Sequence, residues 1–131
     1  MAITKINGGV TAPKGFLASG LNAGIKNQTK KDMAMVFSST PCAAAGVFTT
    51  NLVKAAPVKW DKEIVTTSSY VQAVVVNSGI ANACTGAEGL GYCADTAAEA
   101  AAALNIPKTA VLVASTGVLA NSFLLIRLSL V

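Results

Sequence analysis

One stretch, Tyr70–Ser115, decides the expected fold, and it reads "YVQAVVVNSGIANACTGAEGLGYCADTAAEAAAALNIPKTAVLVAS". It begins with a continuous β-branched run over Tyr70–Asn77, whose lack of polar alternation predicts a strand covered on both faces. A helix is predicted from about Glu88 to Leu104, followed by a second buried strand over Ala110–Ser115. A strand, a polar loop, a helix and a strand in this order predict an α/β fold.

The predicted helix carries small residues along one face. Asp95 and Glu99 fall on another face, where we expect solvated carboxylates rather than an acid–base pair. Asn105 at the expected C′ position and Pro107 beyond it end the helix. The small face predicts unusually close packing on the sheet, and its members, at three- and four-residue steps, are Leu90, Cys93, Ala94, Ala97, Ala101 and Leu104.

The first half of the chain is predicted to be mostly β. A strand or strand pair is expected over Gly15–Lys26, and Met33–Ser39 is a stronger strand candidate that ends at a break over Thr40–Cys42. The pattern continues over Ala44–Asn51, and Ala56–Trp60 is interpreted as a further short extended piece. We find no internal repeat and no linker long enough to divide the chain.

The composition of the 131 residues is that of one globular domain, or of one piece of a larger domain. Hydrophobic residues make up 53% and charged residues 12%, so some of the surface is expected to meet another chain or a missing segment. The net charge is +4, and the densest basic patch, Lys26–Lys31, lacks interleaved aromatic residues. We therefore predict a solvated loop there and no binding of nucleic acid.

The sequence contains no histidine, which excludes Ser-His-Asp and Cys-His catalytic arrangements and every metal site that needs imidazole. Cys42, Cys84 and Cys93 are odd in number and lack CxxC spacing, so they predict free thiols and no metal site. The first residues lack the apolar core of a secretory signal. A cytoplasmic protein is expected.

One segment has the composition of a short membrane span. Ala110–Ile126 contains no charged residue and is at the lower edge of the length that crosses a membrane. Polar residues interrupt it and its first half is β-branched, so a buried strand followed by an apolar tail is preferred. We expect no association with a membrane.

The polar loop "NSGIANACTG", Asn77–Gly86, lies between a buried strand and a helix, a position at which ligands collect. Its groups suit the holding of a polar substrate or a neighbouring loop. The alternative is an ordered turn held by the Asn77 and Asn82 side chains. The glycines of "GAEGLG", Gly86–Gly91, lack the spacing of a dinucleotide site. Cys84 has no evident base, so a packed small side chain is favoured over a nucleophile.

A second polar break, "STG", Ser115–Gly117, ends the next buried strand. A glycine N–H and a neighbouring threonine hydroxyl are donors of the kind that stabilise a developing oxyanion. Three such residues also form an ordinary turn in most proteins. The residues therefore offer electrostatic helpers for catalysis but no convincing nucleophile.

Four blocks of the chain resemble the ornithine acetyltransferase family, the bifunctional glutamate N-acetyltransferases of arginine biosynthesis. "NSGIANACTG" is similar to the family's NSGNANACTG-type signature, with Ile80 where the usual pattern has asparagine. "GFLASGLNAGIK", "KDMAMVFSSTPCAAAGVFTTNLVKAAPV" and "VLVASTGV" agree with the family in order and spacing. The resemblance covers about residues 10–118.

The resemblance implies a precursor that cleaves itself before a threonine, giving an α chain and a β chain whose N-terminal threonine is the nucleophile. This threonine takes acetyl from N-acetylornithine and passes it to glutamate without a metal or an organic cofactor, and some members also use acetyl-CoA. The implied fold is a two-sheet sandwich with covering helices, similar to other self-processing aminopeptidase-like folds, and this chain would form part of it. The implied assembly is a heterotetramer of two α and two β chains.

Carried over residue by residue, the resemblance assigns the oxyanion-stabilising pair to Thr116 and Gly117. It implies that the signature loop lines the interior near the active site, and it assigns no substrate contact to Ile80. The signature residues that receive no catalytic step are Asn77, Ser78, Gly79, Asn82, Thr85 and Gly86.

We interpret residues 1–118 as the N-terminal part of the α chain and residues 119–131 as a divergent tail that arose by truncation or frameshift. The nucleophilic threonine is then absent, so the chain by itself is expected to be inactive as an acetyltransferase and to self-associate. The alternative function is a non-catalytic α/β module that binds a small molecule or assembles with a partner. A ligand at the helix entry, Gly86–Gly91, without acyl chemistry would favour that alternative.

Overall fold

A computed structural model describes residues 3–26 and 29–119 of the chain. Within these ranges the chain forms four strands and two α-helices, with short 3-10 turns at Gly9–Thr11 and Lys108–Ala110. In chain order the elements are β1 (Phe16–Leu21), β2 (Met33–Cys42), α1 (Ala56–Thr67), β3 (Val71–Ile80), α2 (Gly86–Leu104) and β4 (Val111–Val118). The prediction of an α/β fold is confirmed.

The four strands form a single sheet in the order β1-β2-β3-β4. The pairs β1–β2 and β2–β3 are antiparallel, whereas β3 and β4 are parallel. Parallel neighbours need a crossover connection, and α2 supplies it. The register pairs Ala73 with Val111 and Asn77 with Ser115, so the carboxyl ends of β3 and β4 lie side by side.

The hydrophobic core lies between the sheet and the two helices. Cys93, Ala97 and Ala100 of α2 are fully buried, because short side chains allow the helix backbone to approach the strands closely. The predicted small face is thus confirmed, although it is rotated slightly: Gly89 is buried and Leu90 lies at the exposed edge. Asn105 ends α2 in the left-handed conformation, as its position predicts.

The opposite face of the sheet is less covered. Along β3, Val71, Ala73, Val75 and Asn77 are buried under the helices, and the alternate residues are half-buried. The expectation that β3 is covered on both faces is therefore not met by the described residues. The second sheet of the expected sandwich does not occur among residues 3–26 and 29–119 either.

Two predictions for the first half are wrong. Ala44–Asn51 forms no strand, because β-branched residues favour strands only on a half-buried sheet surface, and Val47 is fully exposed. Ala56–Trp60 is the beginning of α1 rather than an extended piece. Pro57 sits in the first turn, where a fixed φ favours helix and the missing N–H costs nothing.

The predicted break over Thr40–Cys42 is an irregularity in the pairing of β2 with β3. Strand β2 continues to Cys42, but its register with β3 shifts between Phe37 and Cys42. The Ser38 hydroxyl, which is buried, donates to the Thr40 carbonyl and stabilises the irregularity. The strand therefore changes its register without ending.

Some expectations fall on residues that the structure does not describe. These are positions 27 and 28 of the basic patch, positions 120–126 of the apolar segment, and all of the predicted divergent tail except Leu119. In the part of the chain that is described, no helix has the length and hydropathy needed to cross a membrane. The same part contains no group of three or more acidic or cysteine side chains that could hold a metal ion.

Candidate functional site

The two polar breaks of the sequence meet at one edge of the molecule. The register of β3 and β4 pairs Ser78 with Thr116 and Gly79 with Gly117. Beyond these pairs, the Ala81 N–H donates to the Val118 carbonyl at 3.0 Å. The "NSG" and "STG" segments are therefore direct neighbours, because consecutive parallel strands end at the same edge of a sheet.

Gly79 and Gly117 allow this close approach. Their φ angles are +119° and +139°, which side chains rarely adopt. A Cβ at Gly117 would lie 2.2 Å from the Gly79 carbonyl carbon and 2.5 Å from the Ile80 nitrogen. Both glycines are thus required by the backbone, and Thr116, which precedes Gly117 in β4, is exposed.

Strand β4 is the edge strand of the described sheet, and its hydrogen bonds fix the side towards which each of its N–H and carbonyl groups points. The Val111 carbonyl and the Val113 N–H bond to side chains of α1, on the side away from β3. The Val118 carbonyl bonds on the β3 side. Because backbone groups alternate along a strand, the Gly117 N–H points away from β3, like that of Val113.

Asn82 organises the turn between β3 and α2, and it is only 2% exposed. Its amide nitrogen donates to the Gly89 carbonyl at 2.8 Å and to the Cys93 sulfur at 3.3 Å, and its carbonyl oxygen accepts from the Thr85 hydroxyl at 2.6 Å. The Asn82 backbone carbonyl accepts the Ala56 N–H at the beginning of α1. One residue thereby joins the turn to both helices.

Other signature residues hold the same turn. The Asn77 side chain donates to the Ile80 carbonyl at 2.9 Å, and the Ser78 N–H donates to the Asp32 carbonyl at 2.8 Å. Gly86 begins α2 with a φ of +61°. A Cβ at Gly89 would meet the Thr85 hydroxyl at 1.9 Å. The alternative of an ordered turn held by Asn77 and Asn82 is therefore what the structure contains.

The cysteines differ in environment. Cys84 is exposed, so the prediction that it is a packed small side chain is wrong, because it lies in the loop before α2 and not on the buried face of the helix. Cys93 is fully buried. Burial, followed by the nearby negative charge of Asp61, raises the pKa of the Cys93 thiol to about 12, which keeps it protonated at neutral pH. Asp95 and Glu99 are exposed, as expected for solvated carboxylates.

Sequence reasoning missed Asp61, which lies on the half-buried side of α1. Its carboxylate accepts the Val113 N–H at 2.9 Å. Burial raises the pKa of Asp61 to about 6, against the opposing effect of that hydrogen bond. With α1 recognised as a helix, the spacing of Pro57, Trp60, Asp61 and Ile64 would have revealed a carboxylate on the apolar face.

Asp32 was also missed. It is 3% exposed, and its carboxylate accepts the N–H groups of Ala23, Ile25 and Lys26 at 2.7–2.9 Å. These bonds, that from Lys26 most of all, hold the pKa of Asp32 below its usual value. Asp32 also borders a cavity of about 210 Å³ that reaches Ser78. Its role is to order the β1–β2 loop beside the signature strand.

Comparison with known proteins gives a consistent match. The model of the ArgJ family matches residues 17–128. The chain is 51% identical over 114 residues to the arginine biosynthesis bifunctional protein ArgJ of Gloeobacter violaceus, covering 87% of this chain and 28% of that protein. It is 55% identical over 114 residues to the protein of the same name from Symbiobacterium thermophilum, covering 86% of this chain and 28% of that protein.

Two solved structures are similar to the described fold. One is the arginine biosynthesis bifunctional protein ArgJ of Bacillus halodurans, with a TM-score of 0.81, 42% identity and coverage of 87% of this chain and 59% of that chain. The other is ornithine acetyltransferase from Mycobacterium tuberculosis complexed with ornithine, with a TM-score of 0.79, 50% identity and coverage of 84% and 60%. The chain spans a little over a quarter of the length of the curated relatives it matches.

Proposed function

The chain belongs to the ArgJ family, and from that premise we propose that it is the N-terminal part of the α chain of an acetyltransferase of arginine biosynthesis. The enzyme moves acetyl from N-acetylornithine to glutamate in the cytoplasm, without a metal or an organic cofactor. Residues 1–118 supply the oxyanion-stabilising donors. A β chain supplies the nucleophilic threonine, and two α and two β chains assemble.

One observation carries this proposal. The pairing of Ser78–Ile80 with Thr116–Val118 presents an exposed threonine beside a glycine whose N–H points away from the neighbouring strand. A hydroxyl and a backbone N–H in this arrangement are two neighbouring donors at the end of a strand. Stabilisation of an oxyanion by these two donors requires no titratable side chain. It is therefore compatible with a sequence that contains no histidine.

The chemistry that suits this pair is acyl transfer. When a nucleophilic oxygen attacks the acetyl carbonyl of N-acetylornithine, the carbonyl oxygen gains negative charge, and the Thr116 hydroxyl and the Gly117 N–H stabilise it. Collapse of the tetrahedral intermediate breaks the bond to the ornithine nitrogen, which leaves with a proton. The amino group of glutamate then attacks the acetyl-enzyme, and a second oxyanion forms at the same two donors. Its collapse breaks the bond to the nucleophilic oxygen, which regains the proton that the amine loses.

The signature loop has a supporting role in this proposal. Asn82 and Thr85 bond to each other and to α2, so their polar groups stabilise the turn rather than contact a substrate. This turn also fixes the end of β3, against which Gly117 is packed. The ornithine complex of the Mycobacterium tuberculosis relative supports an amino-acid substrate of this class.

The test uses a chimera, defined as the full-length Bacillus halodurans relative with residues 17–118 of this chain in place of its matching segment. We expect the chimera to exchange acetyl between N-acetylornithine and glutamate. Thr116→Ala in the chimera should lower kcat about a hundredfold and change KM little, because the lost donor acts in the transition state. Labelled glutamate and steady-state kinetics measure both constants.

The matched control is Thr109→Ala, which removes an exposed threonine hydroxyl from the short 3-10 turn before β4. It should leave kcat unchanged. If Thr116→Ala instead raises KM and leaves kcat unchanged, Thr116 contacts the ground-state substrate and the oxyanion assignment is wrong.

A further inference from the structure

Two adjacent residues of α1 bond to the outer edge of β4. The Trp60 indole N–H donates to the Val111 carbonyl at 3.1 Å, and the Asp61 carboxylate accepts the Val113 N–H at 2.9 Å. These backbone groups point away from β3. A further strand on that outer side of β4 would otherwise pair with them. We name Trp60 and Asp61 the α1 clamp.

We propose that the α1 clamp positions β4, and through it Thr116 and Gly117, for acetyl transfer. This inference rests on the proposed function. The clamp holds the side of β4 that β3 does not reach, so the strand is bonded on both sides over Val111–Val113. Both of its residues act through the strand and do not themselves contact the substrate.

The distance along the strand explains why the clamp matters. Its last bond, at Val113, lies three residues before Thr116, which is less than about 11 Å of extended backbone. The strand is exposed from Thr116 onward, and the described residues contain no further side-chain bond to the outer edge of β4. A lateral shift of the strand would therefore reach the oxyanion donors, and a displacement of about 1 Å is enough to cost up to a hundredfold in rate.

A chain of contacts also connects the clamp to the signature turn. Asp61 lies close enough to the buried Cys93 thiol for its charge to raise the pKa of that thiol, and the Cys93 sulfur accepts a hydrogen bond from Asn82. The ammonium group of Lys108 lies 6.0 Å from the centre of the Trp60 ring. The clamp is thus part of the same packed unit that fixes the ends of β3 and β4.

The experiment compares Asp61→Leu and Asp61→Asn in the chimera. Leucine removes the acceptor for the Val113 N–H, whereas asparagine keeps a carbonyl oxygen at nearly the same place. The matched control is Glu63→Leu, which removes an exposed carboxylate from the same helix. Rates are divided by the amount of acetyl-enzyme formed with N-acetylornithine, so that loss of folded protein is not counted as loss of kcat.

We expect Asp61→Leu to lower kcat per active site roughly tenfold or more, with less than about a twofold change in KM. Hydrogen exchange of the Val113 amide should become faster. Asp61→Asn should restore most of both properties, and Glu63→Leu should alter neither. Trp60→Phe, which keeps the aromatic packing but removes the indole N–H, should lower kcat by a smaller factor.

An unchanged kcat per active site in both Asp61→Leu and Trp60→Phe would overturn the inference, even if the variants are less stable. The proposed function fails in a different way, by an unchanged kcat in Thr116→Ala. A lowered kcat in Thr116→Ala together with an unchanged kcat in both Asp61→Leu and Trp60→Phe therefore rejects the clamp and leaves the proposed function standing.

Discussion

The turn between β3 and α2 and the end of β4 lie side by side, but they use their polar groups differently. In the turn, both ends of the Asn82 amide are bonded, and Thr85 donates to it. At the end of β4, Thr116 is exposed, and the buried Ser115 hydroxyl is without a hydrogen-bond partner among the described residues. The turn thus uses its polar groups for hydrogen bonds within the chain, whereas Thr116 at the end of β4 is exposed and, in our proposal, serves the chemistry.

This difference separates residues that look alike in the sequence. Ser, Thr and Gly occur in both segments, and all are compatible with turns and with ligand contacts. A polar group that is satisfied within the chain mainly affects the free energy of unfolding. A polar group at an exposed strand end mainly affects binding or rate, so substitutions in the two regions should give different measurements.

The largest effect is expected at Gly117, where the two regions touch. Gly117→Ala would place a methyl group 2.2 Å from a backbone carbon at a φ of +139°. Overpacking and backbone strain should together lower the free energy of unfolding by about 4 kcal/mol and abolish acetyl transfer in the chimera. Urea unfolding of the chain and the activity of the chimera measure the two effects.

The control is Gly91→Ala in α2, where a Cβ meets nothing within 4 Å and φ is negative. This change should raise the free energy of unfolding by about 1 kcal/mol, since alanine is the better helix former. Equal results for the two substitutions would show that the contact between Gly117 and Gly79 does not constrain the backbone.

Asn82→Ala tests the folding role of the turn. It removes both donors and leaves the Gly89 carbonyl and the Thr85 hydroxyl without their partner, in a buried site. We expect the free energy of unfolding to fall by about 2–3 kcal/mol. The exposed Asn51→Ala is the control and should change it by less than about 0.5 kcal/mol. A change of less than about 0.5 kcal/mol in the free energy of unfolding of Asn82→Ala would contradict the folding role of Asn82.

Asp61 gives a pH dependence. Its pKa is about 6 in the folded chain and 3.8 in the reference state, so the folded chain binds the proton more tightly. Its contribution to stability is therefore present below about pH 4 and is lost as the pH rises through 6. A shift of this size is worth at most ~3 kcal/mol, and solvent screening at a half-buried carboxylate reduces the expected loss to roughly 1 kcal/mol.

Asp61→Asn should remove this loss. At pH 8 the variant should be more stable than the unmodified chain by roughly 1 kcal/mol, and the difference should shrink towards pH 4. Urea unfolding at several pH values measures the trend. Asp95→Asn, at an exposed position on α2, should show no such trend. A difference that grows towards low pH would contradict the raised pKa of Asp61.

The smallest effect is expected at Ser115. Its hydroxyl oxygen is buried and accepts no hydrogen bond within the described residues, so Ser115→Ala removes no interaction. The free energy of unfolding should change by less than about 0.5 kcal/mol or rise slightly. Ser38→Ala is the matched comparison, because the buried Ser38 hydroxyl is bonded to Thr40 and Cys42, and it should cost about 1 kcal/mol. A larger cost at Ser115 would place it with the folding residues.

Strong local patterns predicted the central unit of the fold. The continuous β-branched runs predicted β3 and β4, and the three- and four-residue steps of the small face predicted α2. The order of these three elements requires a crossover. The beginning of α1 was predicted incorrectly, because Val58 and Trp60 favour strands in isolation. Its helical state depends on a buried face formed by Ala56, Pro57 and Ile64.

The sequence by itself determined which segments of the second half form strands and which forms the helix. It also placed glycines at the ends of β3 and β4 and carried the resemblance that assigns Thr116 and Gly117. Only the tertiary structure decided which polar groups are satisfied. Asp61 meets Val113 across 52 residues of chain. Periodicity and turn chemistry act over a few residues, whereas hydrogen-bond partners and burial depend on how distant segments pack against each other.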